Sequence, residues 1–158
     1  PGGVYRGSKY SAYEAGTRMP TVVHWPKEVK PGTSNALLSQ VDLYASLAYL
    51  VNQKIEKGDA VDSQNFMDSW LGKSDKGRKY LLEESYTFGF RMDNWKYIKS
   101  KDKPVPNWIV QKFVDPGFRP APQLFNLNED PSEEKNLASE FPEIVAKMEA
   151  ELKEIIKE

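Results

Sequence analysis

The sequence predicts an α+β fold, in which a small antiparallel sheet of about four strands packs against a C-terminal amphipathic helix. Two aromatic-rich stretches, 86–90 and 95–99, suit a pleated surface. Asp93 and Asn94 lie between them and supply turn chemistry, so the two stretches predict a β-hairpin. A further strand is expected at 123–127, which precedes a turn-forming stretch.

The terminal helix is predicted at 142–156. Its apolar side chains recur at helical spacing and form one stripe, made of Ile144, Val145, Met148, Leu152 and Ile155. The opposite face is rich in Lys and Glu, with i,i+4 partners such as Glu149 and Lys153. This pattern is typical of a helix with one face on a core.

Upstream of the sheet, the sequence predicts two helices and one strand. An apolar stripe at 39–52 predicts a helix, and Ser39 and Asp42 at its start have capping-box spacing. A short helix or turn is expected at 62–71. The apolar run 21–25 predicts a strand covered on both faces and ended by proline. The Pro-rich segment 100–122 predicts an irregular insertion.

Composition narrows the class of protein. The chain has 158 residues, the size of one domain, and a net charge of −1, which gives no basis for binding nucleic acid or an anionic membrane. Cysteine is absent, so a disulfide framework or thiolate metal site is excluded. No apolar run approaches the length that spans a bilayer. The Pro-Gly-Gly start predicts a segment of a longer protein.

A polar loop with a single lysine, Lys9, precedes the predicted strand. Its glycine and serine content predicts a surface position or the lining of a site. An ammonium group on a flexible stem can stabilise the oxygens of an anionic ester, where charge accumulates during bond cleavage. Taken alone, a loop lysine is more often only solvated, so both interpretations stay open at this point.

The stretch from Tyr5 to Pro26 resembles a signature of sulfatases, G-x-K-x-x-x-x-E-G-G-x-R-x-P followed by an apolar strand and W-P-G. The matching residues are Gly7, Lys9, Glu14, Gly16, Arg18, Pro20, Trp25 and Pro26. Ala15 and Lys27 depart from the signature, each replacing a glycine. Later segments also resemble sulfatase motifs in order, including Asp62–Asn65, the hairpin from Arg91 and the tail 123–137.

The resemblance implies the C-terminal part of an arylsulfatase-like enzyme with an alkaline-phosphatase-like α/β fold. Residues 1–72 would end the large domain, and 73–158 would form the C-terminal subdomain. The family's formylglycine nucleophile, its Ca²⁺ ligands and its catalytic histidines would lie upstream, so we expect this segment alone to be inactive. The resemblance implies that the longer enzyme is extracytoplasmic and hydrolyses sulfate esters of sugars.

The resemblance also assigns roles to single residues. Lys9 is the candidate catalytic residue, because the lysine of this signature contacts the substrate sulfate. Glu14 and Arg18 are four apart and are expected to pair, with Arg18 tying the loop to the sheet. His24, the one histidine, is interpreted as a structural residue of the predicted strand. The aspartates that start helices and turns are not expected to bind metal; they are Asp42, Asp62, Asp93 and Asp130.

The sequence leaves two other functions open. A phosphoester or phosphonate hydrolase of the same superfamily would share this region, and a stand-alone carbohydrate-binding or interaction module needs no upstream site. Trp108 lies in the Pro-rich segment, where it either lines a glycan-binding rim or covers the sheet. If the strand at 21–25 lacks its partners, its exposed edge predicts a homodimer or a swapped assembly.

Overall fold

The computed structural model describes residues 3–157. Its chain divides into two compact units, one formed by 21–81 and the other by the segment up to Pro20 together with the chain from Leu82 onward. These units differ from the division at 72/73, which concerns the domains of a longer enzyme and stays a prediction.

The central element is a four-stranded antiparallel sheet in the order β1-β2-β3-β4. The strands are β1 (Tyr80–Glu84), β2 (Phe88–Met92), β3 (Trp95–Ile98) and β4 (Gln123–Asn126). The predicted hairpin and the predicted third strand are therefore confirmed. Asp93 has a φ of 53°, the left-handed angle that the tight turn between β2 and β3 requires.

The C-terminal helix packs against the middle of this sheet. Helix α5 (Pro142–Ile156) coincides with the predicted range and contacts β2 and β3. Its buried side chains are Val145, Met148 and Leu152, all from the predicted stripe. Part of the core beneath the sheet is a cluster of buried residues that includes the loop residue Tyr13; its other members are Ala12, Ile98, Phe125 and Leu127.

The described residues also form short helices, namely α1 (Glu14–Thr17), α3 (Met67–Trp70) and α4 (Asn107–Val110). Helix α3 lies inside the predicted range 62–71. Helix α4 lies within the Pro-rich segment 100–122, for which the sequence predicts an irregular insertion. Helix α1 is too short to leave a periodic signal, so sequence patterning does not reveal it.

In the unit 21–81, helix α2 (Asp42–Leu50) packs against α3. Asp42 is fully buried and accepts hydrogen bonds from Arg78 Nε at 2.8 Å and Nη2 at 2.6 Å. It also accepts from the N–H of Ser39, the reciprocal half of the predicted capping box. The apolar stripe of α2 is exposed, and small residues form its buried face instead. The exposed side chains include Val41, Tyr44, Leu47 and Val51.

The prediction of a strand at 21–25 is wrong. This segment has no strand pairing in the structure, and Val22 is 90% exposed. His24, which was assigned to the interior of that strand, is exposed as well. A strand exists only where a second strand accepts its backbone hydrogen bonds, and an apolar run cannot specify that partner. The predicted homodimer or swapped assembly stays a prediction.

Candidate functional site

The loop that carries Lys9, residues 5–20, is fixed to the rest of its unit by its own polar side chains. We call it the Lys9 loop. Arg6 donates to Asp115 Oδ2 and to the carbonyl of Glu133, both at 2.9 Å. Its guanidinium also lies 4.0 Å from the ring centroid of Tyr13. Ser11 Oγ donates to the carbonyl of Asp115 at 2.7 Å. These contacts explain how a segment rich in small residues holds one conformation.

Two glycines allow the Lys9 loop to fold this tightly. A Cβ at Gly16 would lie 2.1 Å from the carbonyl oxygen of Ser11, a distance that no side chain can occupy. At Gly7 the φ is +88°, and a Cβ would lie 2.6 Å from Ser11 Oγ. Both positions therefore require glycine for local steric reasons. They coincide with two glycines of the sulfatase signature.

Below the loop, Glu14 and Lys96 form the centre of a buried charge network. Glu14 is 2% exposed and Lys96 is 0% exposed. Lys96 Nζ donates to Glu14 Oε1 at 3.1 Å and to Glu83 Oε2 at 2.5 Å. Arg91 and Arg18 approach the second oxygen of Glu14, at 3.5 and 3.2 Å. One carboxylate thus connects the Lys9 loop to β1, β2 and β3.

The network sets the ionisation of its members. Burial by itself raises the pKa of Glu14, but Lys96 and Arg91 outweigh it and hold that pKa below its ordinary value. Burial likewise works against the ammonium form of Lys96, yet Glu83 and Glu14 raise its pKa. Both groups are therefore charged at neutral pH. A buried pair of this kind is costly to break, because either charge left alone is unsolvated.

Glu133 is a buried carboxyl group of a different kind. Its Oε2 accepts the N–H of Glu14 at 2.7 Å, whereas its Oε1 is buried and has no hydrogen-bond partner within the described part of the chain. Burial raises the pKa of Glu133 to about 7. The carboxyl group that caps the first turn of α1 is therefore about half protonated at neutral pH.

Lys9 itself is exposed. Across residues 3–157 no hydrogen bond or ion pair involves its side chain, and Nζ lies 5.2 Å from the ring centroid of Tyr10. The loop beneath it is fixed by buried contacts, so the ammonium group is presented to solvent on a rigid base. This geometry suits a cation that receives an anionic group.

Next to Lys9 lies an aromatic cluster, which we define as Tyr10, Tyr86 and Trp108. The Trp108 ring centroid is 4.9 Å from that of Tyr10 and 5.7 Å from that of Tyr86, both in edge-to-face arrangements. Tyr10 and Tyr86 also line a shallow depression of about 440 Å³ that is open to solvent, with Gly16, Thr17, Glu84 and Ser85.

The remaining predicted residues have structural contacts. Arg18 pairs with Glu14 as expected, and its guanidinium lies 4.5 Å from the ring centroid of Tyr5. Glu14 in turn contacts Lys96 of β3 and Arg91 of β2. The direct connection of Arg18 to the sheet stays a prediction. Asp130 accepts the N–H groups of Glu134 and Lys135 in the predicted turn. Turn formation also accounts for Asp93, and a buried ion pair for Asp42.

Sequence reasoning missed the buried partners of Glu14. Lys96 lies between Trp95 and Tyr97 in an aromatic strand, and a lysine in such a strand is a weak signal for burial. Glu133 lies in the tail motif 123–137, whose sequence predicts a strand and a turn but gives no signal for a buried carboxyl group. Neither residue is near Glu14 in sequence, so spacing could not reveal the network.

Within residues 3–157 no group of three or more His, Cys, Asp and Glu side chains is placed to hold a metal ion. The residues present therefore do not fit a Ca²⁺ centre. In the same range, no helix has both the length and the apolar character needed to cross a membrane. The Ca²⁺ and formylglycine expectations concern positions outside this chain and stay predictions.

Known proteins resemble this chain over nearly its whole length. No protein-family model matches it. It is similar to an N-acetylgalactosamine-6-O-sulfatase of Bacteroides thetaiotaomicron, with 42% identity over 159 residues, covering 99% of this chain and 30% of the relative. The chain thus spans less than a third of that relative's length.

Solved structures share the fold. One is the structure of a protein described as acting in the metabolism of multiple glycosaminoglycans by Bacteroides thetaiotaomicron. It has a TM-score of 0.92 and 40% identity to this chain, and the match covers 99% of this chain and 32% of that chain. Another is Ps i-CgsB in complex with k-i-k-neocarrahexaose, with a TM-score of 0.71 and 25% identity, covering 95% of this chain and 31% of that chain. The arrangement of sheet and terminal helix is therefore one that larger proteins contain.

Proposed function

Because this chain belongs to the sulfatase family and matches the C-terminal part of its alkaline-phosphatase-like fold, we propose that it forms part of an enzyme that hydrolyses sulfate esters of sugars. The observation that carries this proposal is the 42% identity, over 99% of the chain, to a relative named an N-acetylgalactosamine-6-O-sulfatase. A 6-O-sulfated N-acetylgalactosamine is accordingly the first substrate to test.

In this proposal Lys9 contacts the sulfate group. Hydrolysis of a sulfate ester increases negative charge on the sulfate and leaving-group oxygens as the bond breaks, and a fixed ammonium group stabilises that charge. The position of Lys9 in the signature supports this role, as do its exposure and its rigid base. The network of Glu14 and Lys96 acts beneath the loop and does not touch the substrate.

The segment does not supply the whole reaction. The nucleophile and the Ca²⁺ expected for the family would come from the remainder of a longer enzyme, and Ca²⁺ would supply electrostatic stabilisation of the sulfate oxygens there. Among the described residues no group of three or more His, Cys, Asp and Glu side chains is placed to hold the ion. The chain by itself is therefore proposed to be inactive.

The exposed apolar side chains of the unit 21–81 fit the same proposal. Val22, Leu47 and Val51 are 90%, 50% and 61% exposed, more apolar surface than a solvated face needs. We propose that the remainder of the enzyme covers them, and that the longer enzyme is extracytoplasmic, as the sulfatase resemblance implies.

The test compares two lysines in the longer enzyme that contains this chain. Lys9→Met should lower kcat/KM for 6-O-sulfated N-acetylgalactosamine by about 100-fold or more, in line with the loss of one oxyanion-stabilising group. Lys147→Met, on the exposed face of α5, is the matched control and should change kcat/KM less than twofold. Equal effects of the two substitutions would reject the role of Lys9.

Two further measurements test the reaction class and the dependence on the longer protein. The 6-phosphate of the same sugar should be hydrolysed far more slowly than the 6-sulfate; the reverse preference would favour the phosphoester hydrolase. The purified chain should release no sulfate from the 6-sulfate. Turnover by the chain alone would contradict the proposal that its partner region is needed.

A further inference from the structure

We infer that the aromatic cluster of Tyr10, Tyr86 and Trp108 is a binding subsite for a sugar ring, placed directly beside the sulfate-contacting lysine. The inference rests on the proposed function and extends it, because it assigns the residues that would recognise the uncharged part of the substrate. Nothing in the charge network below the loop performs that task.

The cluster is assembled from three segments that are distant in sequence. Tyr10 belongs to the Lys9 loop, Tyr86 to the turn between β1 and β2, and Trp108 to helix α4. Trp108 contacts both tyrosines, with 4.9 Å to Tyr10 and 5.7 Å to Tyr86 between ring centroids. Edge-to-face contacts at these distances hold the rings in a defined orientation.

The rings are not used to fill the core. Tyr86 is 44% exposed and Trp108 is 38% exposed, whereas the core tyrosines Tyr13 and Tyr97 are 0% and 1% exposed. An aromatic side chain contributes most to folding when it is buried, so a rigid exposed group of rings retains apolar surface that a ligand can cover.

The backbone at the cluster is strained. Tyr10 has a φ of 82° and Tyr86 a φ of 60°, angles that bulky residues rarely adopt. Lys101 Nζ donates to the carbonyl of Tyr86 and helps to hold that conformation. Strain of this kind persists where the surroundings enforce it, and it concentrates at ligand sites.

A shallow depression of about 440 Å³, open to solvent, adjoins the two tyrosines of the cluster. A pyranose ring presents an apolar C–H face, which packs on aromatic rings, and hydroxyl groups around its edge. Glu84 and Ser85 line the depression and offer a carboxylate and a hydroxyl to those groups.

Charge sets the direction in which a sulfated sugar would bind. Lys9 Nζ lies 5.2 Å from the Tyr10 ring centroid, on the edge of the cluster, and attracts the sulfate. Glu84 is an exposed acid on the wall of the depression and repels an anion. The sulfate therefore belongs at Lys9 and the uncharged ring over the aromatic cluster.

The structure provides a matched pair of substitutions to test this. Tyr86 and Phe113 are both exposed aromatics with left-handed backbone angles, φ 60° and 54°. Phe113 is 97% exposed and lies outside the cluster. Asparagine accepts this backbone conformation, so Tyr86→Asn and Phe113→Asn each remove a ring without adding strain.

The kinetic experiment uses the longer enzyme and 6-O-sulfated N-acetylgalactosamine. Tyr86→Asn should raise KM about tenfold and leave kcat within about twofold, because binding of the ring is lost while the lysine still contacts the sulfate. Trp108→Ala should do the same, Trp108→Phe should recover most of the affinity, and Phe113→Asn should leave KM unchanged. If Tyr86→Asn and Trp108→Ala match Phe113→Asn, the inference is wrong.

A binding measurement separates this inference from the proposed reaction. Saturation-transfer NMR with unsulfated N-acetylgalactosamine should show transfer to the ring C–H protons in the unsubstituted enzyme, reduced severalfold by Trp108→Ala but not by Phe113→Asn. Sugar binding at the cluster without sulfate release would reject the reaction and keep the subsite. Sulfate release with unchanged transfer in all variants would reject the subsite and keep the reaction.

Discussion

The buried carboxyl group of Glu133 makes a quantitative prediction about pH. Its pKa rises from 4.5 to about 7 on folding, because the side chain is fully buried and Oε1 has no partner among the described residues. Between these two values the unfolded chain releases the proton while the folded protein retains it. The native state then binds more protons than the unfolded state, so stability falls as the pH rises.

The size of the effect follows from the shift. At about 1.36 kcal/mol per pKa unit, the full difference amounts to roughly 3 kcal/mol once the pH exceeds 7. About 1 kcal/mol of it is already lost at pH 5.5, so roughly 2 kcal/mol should disappear between pH 5.5 and 8. For a protein of ordinary stability this is a large fraction of the total.

The perturbation that isolates this group is Glu133→Gln. The amide oxygen can still accept the N–H of Glu14, but the side chain no longer titrates. Urea unfolding is followed by tryptophan fluorescence at pH 5.5 and at pH 8. Between these two pH values the unfolding free energy of the unsubstituted protein should fall by about 2 kcal/mol relative to that of Glu133→Gln. Glu134→Gln, at the exposed neighbouring position, is the control and should follow the unsubstituted protein.

Two results would refute this reasoning. If the unsubstituted protein and Glu133→Gln lose the same unfolding free energy between pH 5.5 and 8, the buried carboxyl group does not titrate in this range. If the unsubstituted protein instead gains stability relative to the variant as the pH rises to 8, the sign is wrong and Glu133 is stabilised as a carboxylate.

Two further substitutions test the base of the site. Lys96→Met should lower the unfolding free energy by about 3 to 5 kcal/mol, because it leaves two acidic side chains beside an apolar group. The control Lys153→Met, at an exposed position, should lower it by no more than about 0.5 kcal/mol. Similar thermal shifts for the two variants would contradict the buried network. Gly16→Ala should destabilise by about 1 to 3 kcal/mol because its Cβ would lie 2.1 Å from the Ser11 carbonyl oxygen. At Gly32 an added Cβ would lie 4.0 Å from its nearest neighbour, the Lys30 carbonyl oxygen, so Gly32→Ala should be close to neutral in the same melting experiment. Equal effects of the two substitutions would mean that the Lys9 loop is not tightly packed.

The sequence predicted those parts of the fold that depend on neighbours along the chain. Helix α5 was located from end to end because its stripe repeats over four turns. The hairpin was found from two aromatic stretches and a turn, and Asp93 has the left-handed angle that the turn needs. The glycines of the Lys9 loop were also visible, although the steric contacts that require them were not.

The segment 21–25 shows where this reasoning ends. Its apolar pattern is compatible with a strand, but strand formation depends on ladder hydrogen bonds to a second strand, and the structure has no strand at 21–25. The stripe of α2 was likewise visible in the sequence, yet the structure buries the opposite, small-residue face of that helix against α3.

The sequence by itself placed one lysine on a glycine-flanked loop within a sulfatase-like signature. Only the tertiary structure decided what supports that loop and what lies beside it. Glu14 meets Lys96 across 82 positions of the chain, and Tyr10, Tyr86 and Trp108 meet from three separate segments. Burial and ring packing depend on distances in space, which residue spacing along the chain does not encode.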